Sequence, residues 1–179
     1  DHASLDVTNI TLEGWIRTIA SSDYWISRAS KFNMRLNGSG KAVGDIVATG
    51  TSTVTSTTSV NDGLWHHVAV TYDGTTTSIY VDGLLEDTDT TASGNMSAGA
   101  TGLYIGSFVA PSAFFNGEIG YVRMWSDART QAEILTEMFS SYSDLAATTN
   151  LVSMWQFDEG AGTAVADSHG ANTGTASAS

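Results

Sequence analysis

The sequence predicts an all-β protein, a two-sheet antiparallel sandwich with one short helix near its C-terminal third. Two patterns predict it. Short runs alternate between apolar and polar residues, which indicates strands with one buried face. Between these runs stand dipeptides that accept the positive φ angles of tight hairpins, namely Asn37-Gly38, Asp62-Gly63, Asp73-Gly74, Asp82-Gly83 and Asn116-Gly117. About ten to twelve strands are expected.

The strands are predicted in chain order from their apolar residues. They are Leu12 to Ile16, Phe32 to Leu36, Val68 to Tyr72, Ile79 to Val81, Leu103 to Ile105 and Ile119 to Trp125. The stretch Thr49 to Val60 is almost entirely Thr, Ser and Val, so it has strand propensity with little to bury. We therefore expect it to be an edge strand or a convex outer face.

One segment, Ala128 to Phe139, carries a helical pattern. Thr130 and Glu133 have the spacing of a capping box, which satisfies free backbone N–H groups at a helix start. Ile134, Leu135 and Met138 form an apolar stripe on one side of that helix. The helix is expected to close one end of the sandwich.

Composition and charge argue against several classes of function. The chain has 179 residues, about one domain's length, and carries a net charge of −12, which argues against binding a phosphate backbone. It has no cysteine, so a disulfide framework, a thiolate metal site and a cysteine nucleophile are excluded. No stretch approaches the roughly 18 apolar residues that cross a bilayer, so membrane insertion is not expected.

An ordered set of motifs resembles a known family. The motifs are Trp65-His66-His67-Val68-Ala69, Tyr80-Val81-Asp82-Gly83, Ile105-Gly106, and Phe115-Asn116-Gly117-Glu118-Ile119 running into Val122-Arg123-Met124-Trp125. In this order they resemble the laminin-G-like branch of the concanavalin A-like jelly rolls, over roughly Ser4 to Phe139. The resemblance implies a jelly-roll sandwich. The chain departs from the family at Gly120-Tyr121, where members often carry two acids, which puts a metal or ligand role there in doubt.

The C-terminal segment is similar to the strand and loop that normally open such a domain. It runs from Leu151-Val152-Ser153-Met154-Trp155 to Asp167-Ser168-His169-Gly170. A sandwich without that strand would expose backbone groups and an apolar stripe, so residues 151–175 are expected to fill the gap. They could do so in the same molecule or in a neighbour, and we favour the same molecule. Residues 1–179 are thus interpreted as one domain.

The residues that could carry out catalysis are few. Sugar-cleaving relatives of this fold place paired carboxylates on one strand, and no such run exists here, so we expect a protein that is not an enzyme. A calcium ion is the more serious possibility. Asp158, Glu159 and Asp167 could converge with nearby carbonyls at one end of the sandwich, and the resemblance favours such a site. Solvated loop carboxylates are an equal alternative.

A ligand surface is predicted on the early strands. Arg28, Lys31 and Arg35 belong to a cluster of cations that could bind an acidic glycan or a neighbouring subunit. Tyr24 and Trp25 could stack on sugar rings. The alternatives are a solvated strand face for the cations and core packing for the aromatic residues.

These observations predict a non-catalytic recognition module, extracellular or on a cell or virion surface. It would bind glycan or protein in the manner of a lectin or adhesin, with calcium as a candidate cofactor. The alternative is a structural decoration or appendage subunit of a virion or cell surface, with neighbouring subunits as partners. The absence of cysteine, the two lysines and the Thr-rich edge suit that alternative. A glycan-cleaving enzyme is a third hypothesis.

Overall fold

A computed structural model describes residues 3–96, 101–108 and 113–176, and they fold into two stacked antiparallel sheets. The six-stranded sheet has the spatial order β11 (Leu151–Trp155), β10 (Gly117–Trp125), β1 (Ile10–Thr18), β6 (Trp65–Tyr72), β7 (Thr77–Val81) and β8 (Leu84–Asp89). The five-stranded sheet has the order β5 (Gly50–Ser59), β4 (Lys41–Ala48), β3 (Phe32–Leu36), β2 (Tyr24–Arg28) and β9 (Tyr104–Ile105). The predicted all-β sandwich is confirmed.

Five smaller elements complete the described part of the chain. Strands β12 (Ala164–Val165) and β13 (Gly174–Thr175) form a separate two-stranded sheet, and a single 3₁₀ turn covers Ala3–Leu5. Helix α1 (Gln131–Glu137) has the predicted capping box between Thr130 and Glu133. A one-turn helix, α2 (Tyr142–Leu145), follows it and was not predicted. No helix in the described parts of the chain is both long enough and apolar enough to cross a membrane.

The predicted apolar stripe of α1 is wrong at one residue. Ile134 is buried against Ala69 and Tyr80 on the outer face of the six-stranded sheet, and Met138 is also buried. Leu135 is 41% exposed. It lies over the β7–β8 turn instead, where Asp82 and Gly83 both have positive φ (51° and 77°), as a type I′ hairpin requires.

The C-terminal segment pairs within this chain. Strand β11 is hydrogen-bonded antiparallel to β10 at the edge of the six-stranded sheet, with Val122 opposite Trp155 and Met124 opposite Ser153. Trp155 is buried and packs in the main core. That residues 151–175 take the place of the strand that opens the domain in relatives, making residues 1–179 one domain, stays a prediction.

The two sheets approach closely at Gly44. A Cβ atom added to this residue would lie 2.5 Å from Cγ2 of Val70 on the opposite sheet and 3.3 Å from Cγ2 of Val54. Real Cβ atoms do not approach carbon atoms so closely, so the sheet separation at this point depends on the missing side chain. Glycine is therefore required here for packing, although it is a poor strand former.

Gly44→Ala is expected to lower the free energy of unfolding by about 1–3 kcal/mol, because the added methyl group overpacks the core against Val70. Chemical denaturation measures the change. Gly38→Ala is the matched control, since a Cβ there would meet nothing nearer than Oγ of Ser22 at 3.9 Å. Equal stability of the two variants would contradict the close approach of the sheets.

Carboxylates of β8 satisfy the free edge of β5. Strand β5 is the edge strand that the sequence predicts, so one row of its backbone N–H groups has no partner strand. Three acidic side chains accept those hydrogen bonds: Asp89 from Thr53 (2.9 Å), Asp87 from Thr55 (2.9 Å), and Glu86 from Thr57 (2.7 Å) and Thr58 (2.9 Å). This acidic ladder joins the two sheets along one side of the sandwich.

The acidic ladder makes stability depend on pH. Burial alone would raise the pKa of Glu86, but hydrogen bonds from Thr58 and Thr57 outweigh it and hold that pKa below its usual value. Hydrogen bonds from the Thr91 hydroxyl and the Thr53 amide lower the pKa of Asp89. A carboxyl whose pKa is lowered by folding stabilises the fold above its unfolded pKa, and this contribution is lost as pH falls through the folded value.

We therefore expect the melting temperature to fall as the solution is acidified below about pH 4, the usual carboxyl range. The double variant Glu86→Gln, Asp89→Asn should melt lower at neutral pH but lose less on acidification. Thermal melts across the pH series measure both. Asp158→Asn, which removes an exposed loop carboxylate, is the control and should keep the wild-type pH profile. An unchanged profile in the double variant would contradict the ladder's role.

Candidate functional site

The predicted ligand surface on the early strands is largely inside the protein. Trp25, Arg28 and Lys31 are each at most 1% exposed. Arg28 lies 3.0 Å and Lys31 2.8 Å from Oδ1 of Asp6, and Arg28 also donates to the Leu5 carbonyl. Burial lowers the pKa of Lys31, and its hydrogen bond to Asp6 opposes that shift. These cations hold the N-terminal segment on the sheet, so the expectation that Trp25, Arg28 and Lys31 face a ligand is corrected.

Tyr24 and Arg35 remain partly accessible. They are opposite each other on neighbouring strands β2 and β3. The Arg35 guanidinium lies 3.2 Å from Asp45 Oδ2, and the Thr53 hydroxyl donates to the other oxygen of Asp45. The structure thus separates the five predicted residues into three buried groups and two on a polar strand face. A ligand role for Tyr24 and Arg35 stays a prediction.

The predicted calcium residues are not gathered around one point. Among the residues that the structure describes, no three His, Cys, Asp or Glu side chains are placed to hold a metal ion together. Asp158 and Glu159 are exposed, and Glu159 accepts a hydrogen bond from the Ala166 amide. Calcium binding through Asp158, Glu159 and Asp167, with loop carbonyls, stays a prediction.

Asp167 has a structural partner set of its own. Its carboxylate accepts hydrogen bonds from the backbone N–H groups of Met154, His169, Gly170 and Asn172, at 3.0 to 3.1 Å. Burial raises the pKa of this carboxyl, but these N–H groups outweigh burial and hold the pKa below its usual value. Asp167 therefore fastens the loop after β12 to strand β11.

Asp167→Ala is expected to destabilise the protein by roughly 2–3 kcal/mol, because three partly buried N–H groups lose a charged acceptor. The loss should be the same in calcium and in EDTA. Denaturation curves under both conditions measure it, with Asp158→Asn as the control. If calcium instead stabilised the wild type but not the Asp167 variant, Asp167 would be a metal ligand.

An exposed group of aromatic residues lies on the outer face of the six-stranded sheet. We call it the aromatic shelf; it consists of Trp15, Trp65, Gly120, Tyr121 and Phe139 and surrounds a shallow depression of about 370 Å³. Trp65 is 40% and Phe139 75% exposed. Gly120 is the floor, because a Cβ there would lie 3.3 Å from Trp15 and 3.5 Å from the Trp65 ring.

A β-bulge creates the floor of the aromatic shelf. Gly14 is opposite Val122 and Ile16 is opposite Ile119, so Trp15 faces both Gly120 and Tyr121. A bulge of this kind changes the direction in which neighbouring side chains point. Gly120-Tyr121 is also where the sequence departs from the acids of the resembled family, so an acidic pair is replaced here by an open floor and a ring.

The C-terminal end of α1 fixes the shelf rings. Carbonyl groups at a helix end lack partners within the helix. The Met138 carbonyl accepts from Nε1 of Trp15 (2.9 Å) and from the Tyr121 hydroxyl (2.7 Å). Phe139 follows directly, and its ring centroid lies 5.3 Å from that of Trp15. The shelf is therefore formed from strands β1, β6 and β10 and from the end of a helix distant in sequence.

A buried charge network lies beside the aromatic shelf. Glu13 is 1% exposed; it lies 3.4 Å from Arg123 and from His67, and accepts a 3.0 Å hydrogen bond from Nε1 of Trp125. Burial raises the pKa of Glu13, but His67, Arg123 and Trp125 outweigh burial and hold the pKa below its usual value. The His67 ring lies edge-on to Trp15, with centroids 5.4 Å apart. The buried charge network therefore contacts the Trp15 ring of the aromatic shelf through His67.

His66 and His67 are neighbours on strand β6 and have different surroundings. His67 is completely buried, whereas the His66 ring lies between Asp82 (2.9 Å) and Asp62 (3.2 Å) near the surface. Because their side chains point to opposite faces, the two rings do not share a ligand.

An ion pair borders the aromatic shelf. The Nη2 atom of Arg17 donates to both carboxylate oxygens of Glu118, at 2.7 and 2.5 Å. Both side chains are about half exposed. The Arg17 guanidinium also lies 5.3 Å from the Trp65 ring centre. Planar rings next to accessible donors and acceptors suit a ligand that has both apolar faces and hydroxyl groups.

Sequence reasoning missed the aromatic shelf. In the sequence, Trp65 stands out only as part of the motif Trp65 to Ala69, and Trp15 and Phe139 only as parts of a predicted strand and a predicted helix. The one available hint was alternation: Trp15 and Arg17 lie out of phase with the apolar residues Leu12, Gly14 and Ile16, so they had to point away from the core. Phe139 could not have been placed without the position of the helix end.

Comparisons with known proteins agree with this fold. A laminin G family model, described as the concanavalin A-like lectin/glucanases superfamily, matches residues 1–135. A protein from rat, the sushi, von Willebrand factor type A, EGF and pentraxin domain-containing protein 1, is 34% identical over 86 residues. The match covers 42% of this chain and 2% of that protein, so this chain spans only a small part of the relative's length.

Two solved structures show the same fold at lower identity. A candidate carbohydrate-binding protein from Bacteroides ovatus superposes with a TM-score of 0.77 at 22% identity, over 94% of this chain and 52% of that one. The chain thus spans about half of that relative's length. Domain 4 of the extracellular arabinanase AbnA of Geobacillus stearothermophilus, solved with arabinotriose, gives a TM-score of 0.62 at 14% identity, over 74% and 68% of the two chains. Because the family model matches most of the chain, the protein belongs to the laminin G branch of the concanavalin A-like lectin/glucanase superfamily.

Proposed function

We propose that this protein is a non-catalytic binding module that recognises carbohydrate through the aromatic shelf. The single observation that carries the proposal is the open Gly120 floor between the rings of Trp15, Trp65 and Phe139. A pyranose or furanose ring has an apolar C–H face, which packs on an exposed aromatic ring. The floor leaves room for that face because Gly120 has no side chain.

The rim of the aromatic shelf supports the same ligand class. The hydroxyl groups at the edge of a sugar ring need donors and acceptors, which Arg17 and Glu118 offer in an accessible, paired arrangement. The rings of Trp15 and Tyr121 are held in place before binding by the Met138 carbonyl, and His67 of the Glu13 network packs against Trp15. Rings that are fixed in advance lose little conformational entropy when the ligand arrives.

The relatives support binding and an extracellular location. The Bacteroides ovatus protein is described as carbohydrate binding, and the arabinanase domain comes from an extracellular enzyme and was solved with arabinotriose. The superfamily also includes glucanases, so we base the non-catalytic proposal on this chain's own shelf, whose described lining residues include no carboxylate and which is bordered by Glu118 in its pair with Arg17. The alternative role as a virion or cell-surface assembly subunit, and calcium as a cofactor, stay predictions.

Trp65→Ala is expected to weaken oligosaccharide binding about tenfold or more, the equivalent of about 1.4 kcal/mol for one lost stacking surface. A glycan array on the wild type first identifies a bound oligosaccharide, and titration calorimetry then compares the variants. Gly120→Val should weaken binding too, because its side chain would occupy the floor next to Trp15 and Trp65.

Phe114→Ala is the matched control, since Phe114 is also an exposed aromatic residue (56%) but is not part of the aromatic shelf. It should leave the affinity unchanged. Each titration is run in calcium and in EDTA, which separates a direct role of the ion from the contribution of the shelf. Binding that survives Trp65→Ala and Gly120→Val would overturn the assignment to the shelf.

A further inference from the structure

A second cavity lies on the side of the sandwich opposite the acidic ladder. It has a volume of about 700 Å³ and is bounded by strand β9, by parts of β10 and β11, and by the β12–β13 sheet. Strand β9 is the edge of the five-stranded sheet and β11 the edge of the six-stranded sheet, so the cavity opens where the two sheets end. We call it the edge cavity.

The walls of the edge cavity contain apolar residues that pack against the main core but are only partly buried. Nine partly buried apolar residues pack against the main core in the described chain, and six of them line this cavity: Leu103, Ile105, Phe115, Ile119, Phe157 and Val165. The apolar surface that the core leaves uncovered is therefore concentrated at one place. Uncovered apolar surface of this kind gains free energy when another apolar group covers it.

The described walls carry no charge. None of the described residues around the edge cavity is Asp, Glu, Lys, Arg or His, in a chain with a net charge of −12. Asn172, the one amide side chain among the described lining residues, is already engaged: it donates to Ser153 and accepts from Ser4. Its backbone carbonyl accepts from the Trp155 indole. The walls therefore offer a ligand apolar contact and neutral hydroxyl groups, those of Tyr104, Ser107, Thr173 and Thr175, but no counter-charge.

One wall residue has an unusual backbone. Phe157 has φ = 56°, a left-handed conformation that bulky residues rarely adopt. Conformations of this kind persist where the surrounding structure enforces them, and they cluster at functional sites. Here the conformation occurs at the residue that carries a phenyl ring on the cavity wall.

We propose that the edge cavity binds an uncharged, largely apolar small molecule, independently of the aromatic shelf. Its volume lies within the range of ligand sites, about 300–1,000 Å³. A charged ligand would lose its hydration without gaining a counter-charge, which is costly in apolar surroundings. A neutral ligand covers the partly buried apolar side chains at the place where the two sheets end.

The test uses two fluorescent probes with the same rings. N-phenyl-1-naphthylamine is neutral, and 8-anilinonaphthalene-1-sulfonate adds one sulfonate. We expect the neutral probe to bind the wild-type protein at one saturable site, at least about tenfold more tightly than the sulfonate. Equal or tighter binding of the sulfonate, or no saturable binding of the neutral probe, would overturn the proposal.

Gly102→Leu tests the location. A Cβ at Gly102 has no atom within 4 Å and the residue lines the edge cavity, so a larger side chain has space there. The variant should bind the neutral probe at least about tenfold more weakly, whereas Trp65→Ala should bind it normally. Loss of probe binding in Trp65→Ala alone would overturn the proposal by assigning the probe to the aromatic shelf.

A measurement on the wild type covers the case in which Gly102→Leu does not fold, which thermal melting reveals. The methyl resonances of Ile105 and Ile119 should shift on titration with the neutral probe, because both side chains line the edge cavity. The methyl resonance of Ile134, which lies on α1 and packs against Ala69 and Tyr80, should not shift. Shifts confined to Ile134, or absent from Ile105 and Ile119, would overturn the proposal.

Discussion

The buried charge pair of Glu13 and Arg123 constrains much of the six-stranded sheet's outer face. Two charges removed from water need hydrogen bonds from the surrounding protein to offset the loss of hydration. Arg123 accordingly donates to the carbonyls of Glu137 and Ser140, and Glu13 accepts from Trp125. Those bonds place the end of α1 against the sheet. The positions of Phe139 and Met138, and through them the aromatic shelf, follow from this pairing.

The sandwich treats its two open sides in opposite ways. On one side, acidic residues of β8 accept the hydrogen bonds that edge strand β5 would otherwise offer to another chain, which protects the edge and places negative charge there. On the other side, β9 is only two residues long and the sheets part around the uncharged edge cavity. The acidic residues of β8 thus have a structural role. The opposite side of the sandwich, which lacks such charges among its described lining residues, is the one we propose for an apolar ligand.

Local patterns predicted most elements because the forces that form them act between near neighbours. Asp82-Gly83 forms its hairpin, Thr130 and Glu133 form their capping box, and Phe32, Met34 and Leu36 face inward as alternation predicts. The ligand residues were harder to predict. Arg28 and Lys31 look like a surface patch in sequence, yet both are buried because Asp6, more than twenty residues away, covers and neutralises them. The distance between such partners hides them from local reasoning.

The sequence by itself determined the all-β class, the hairpins, helix α1 with its capping box and the family resemblance, since each depends on residue type and short spacing. Only the tertiary structure decided which side chains, distant in sequence, come together at the aromatic shelf and at the edge cavity. The aromatic shelf joins residues 15, 65, 120, 121 and 139, and the edge cavity joins segments around residues 105, 119 and 165. Their meeting depends on strand order, on the bulge opposite Trp15 and on how two sheets stack. These are long-range packing outcomes, and no short stretch of sequence encodes them.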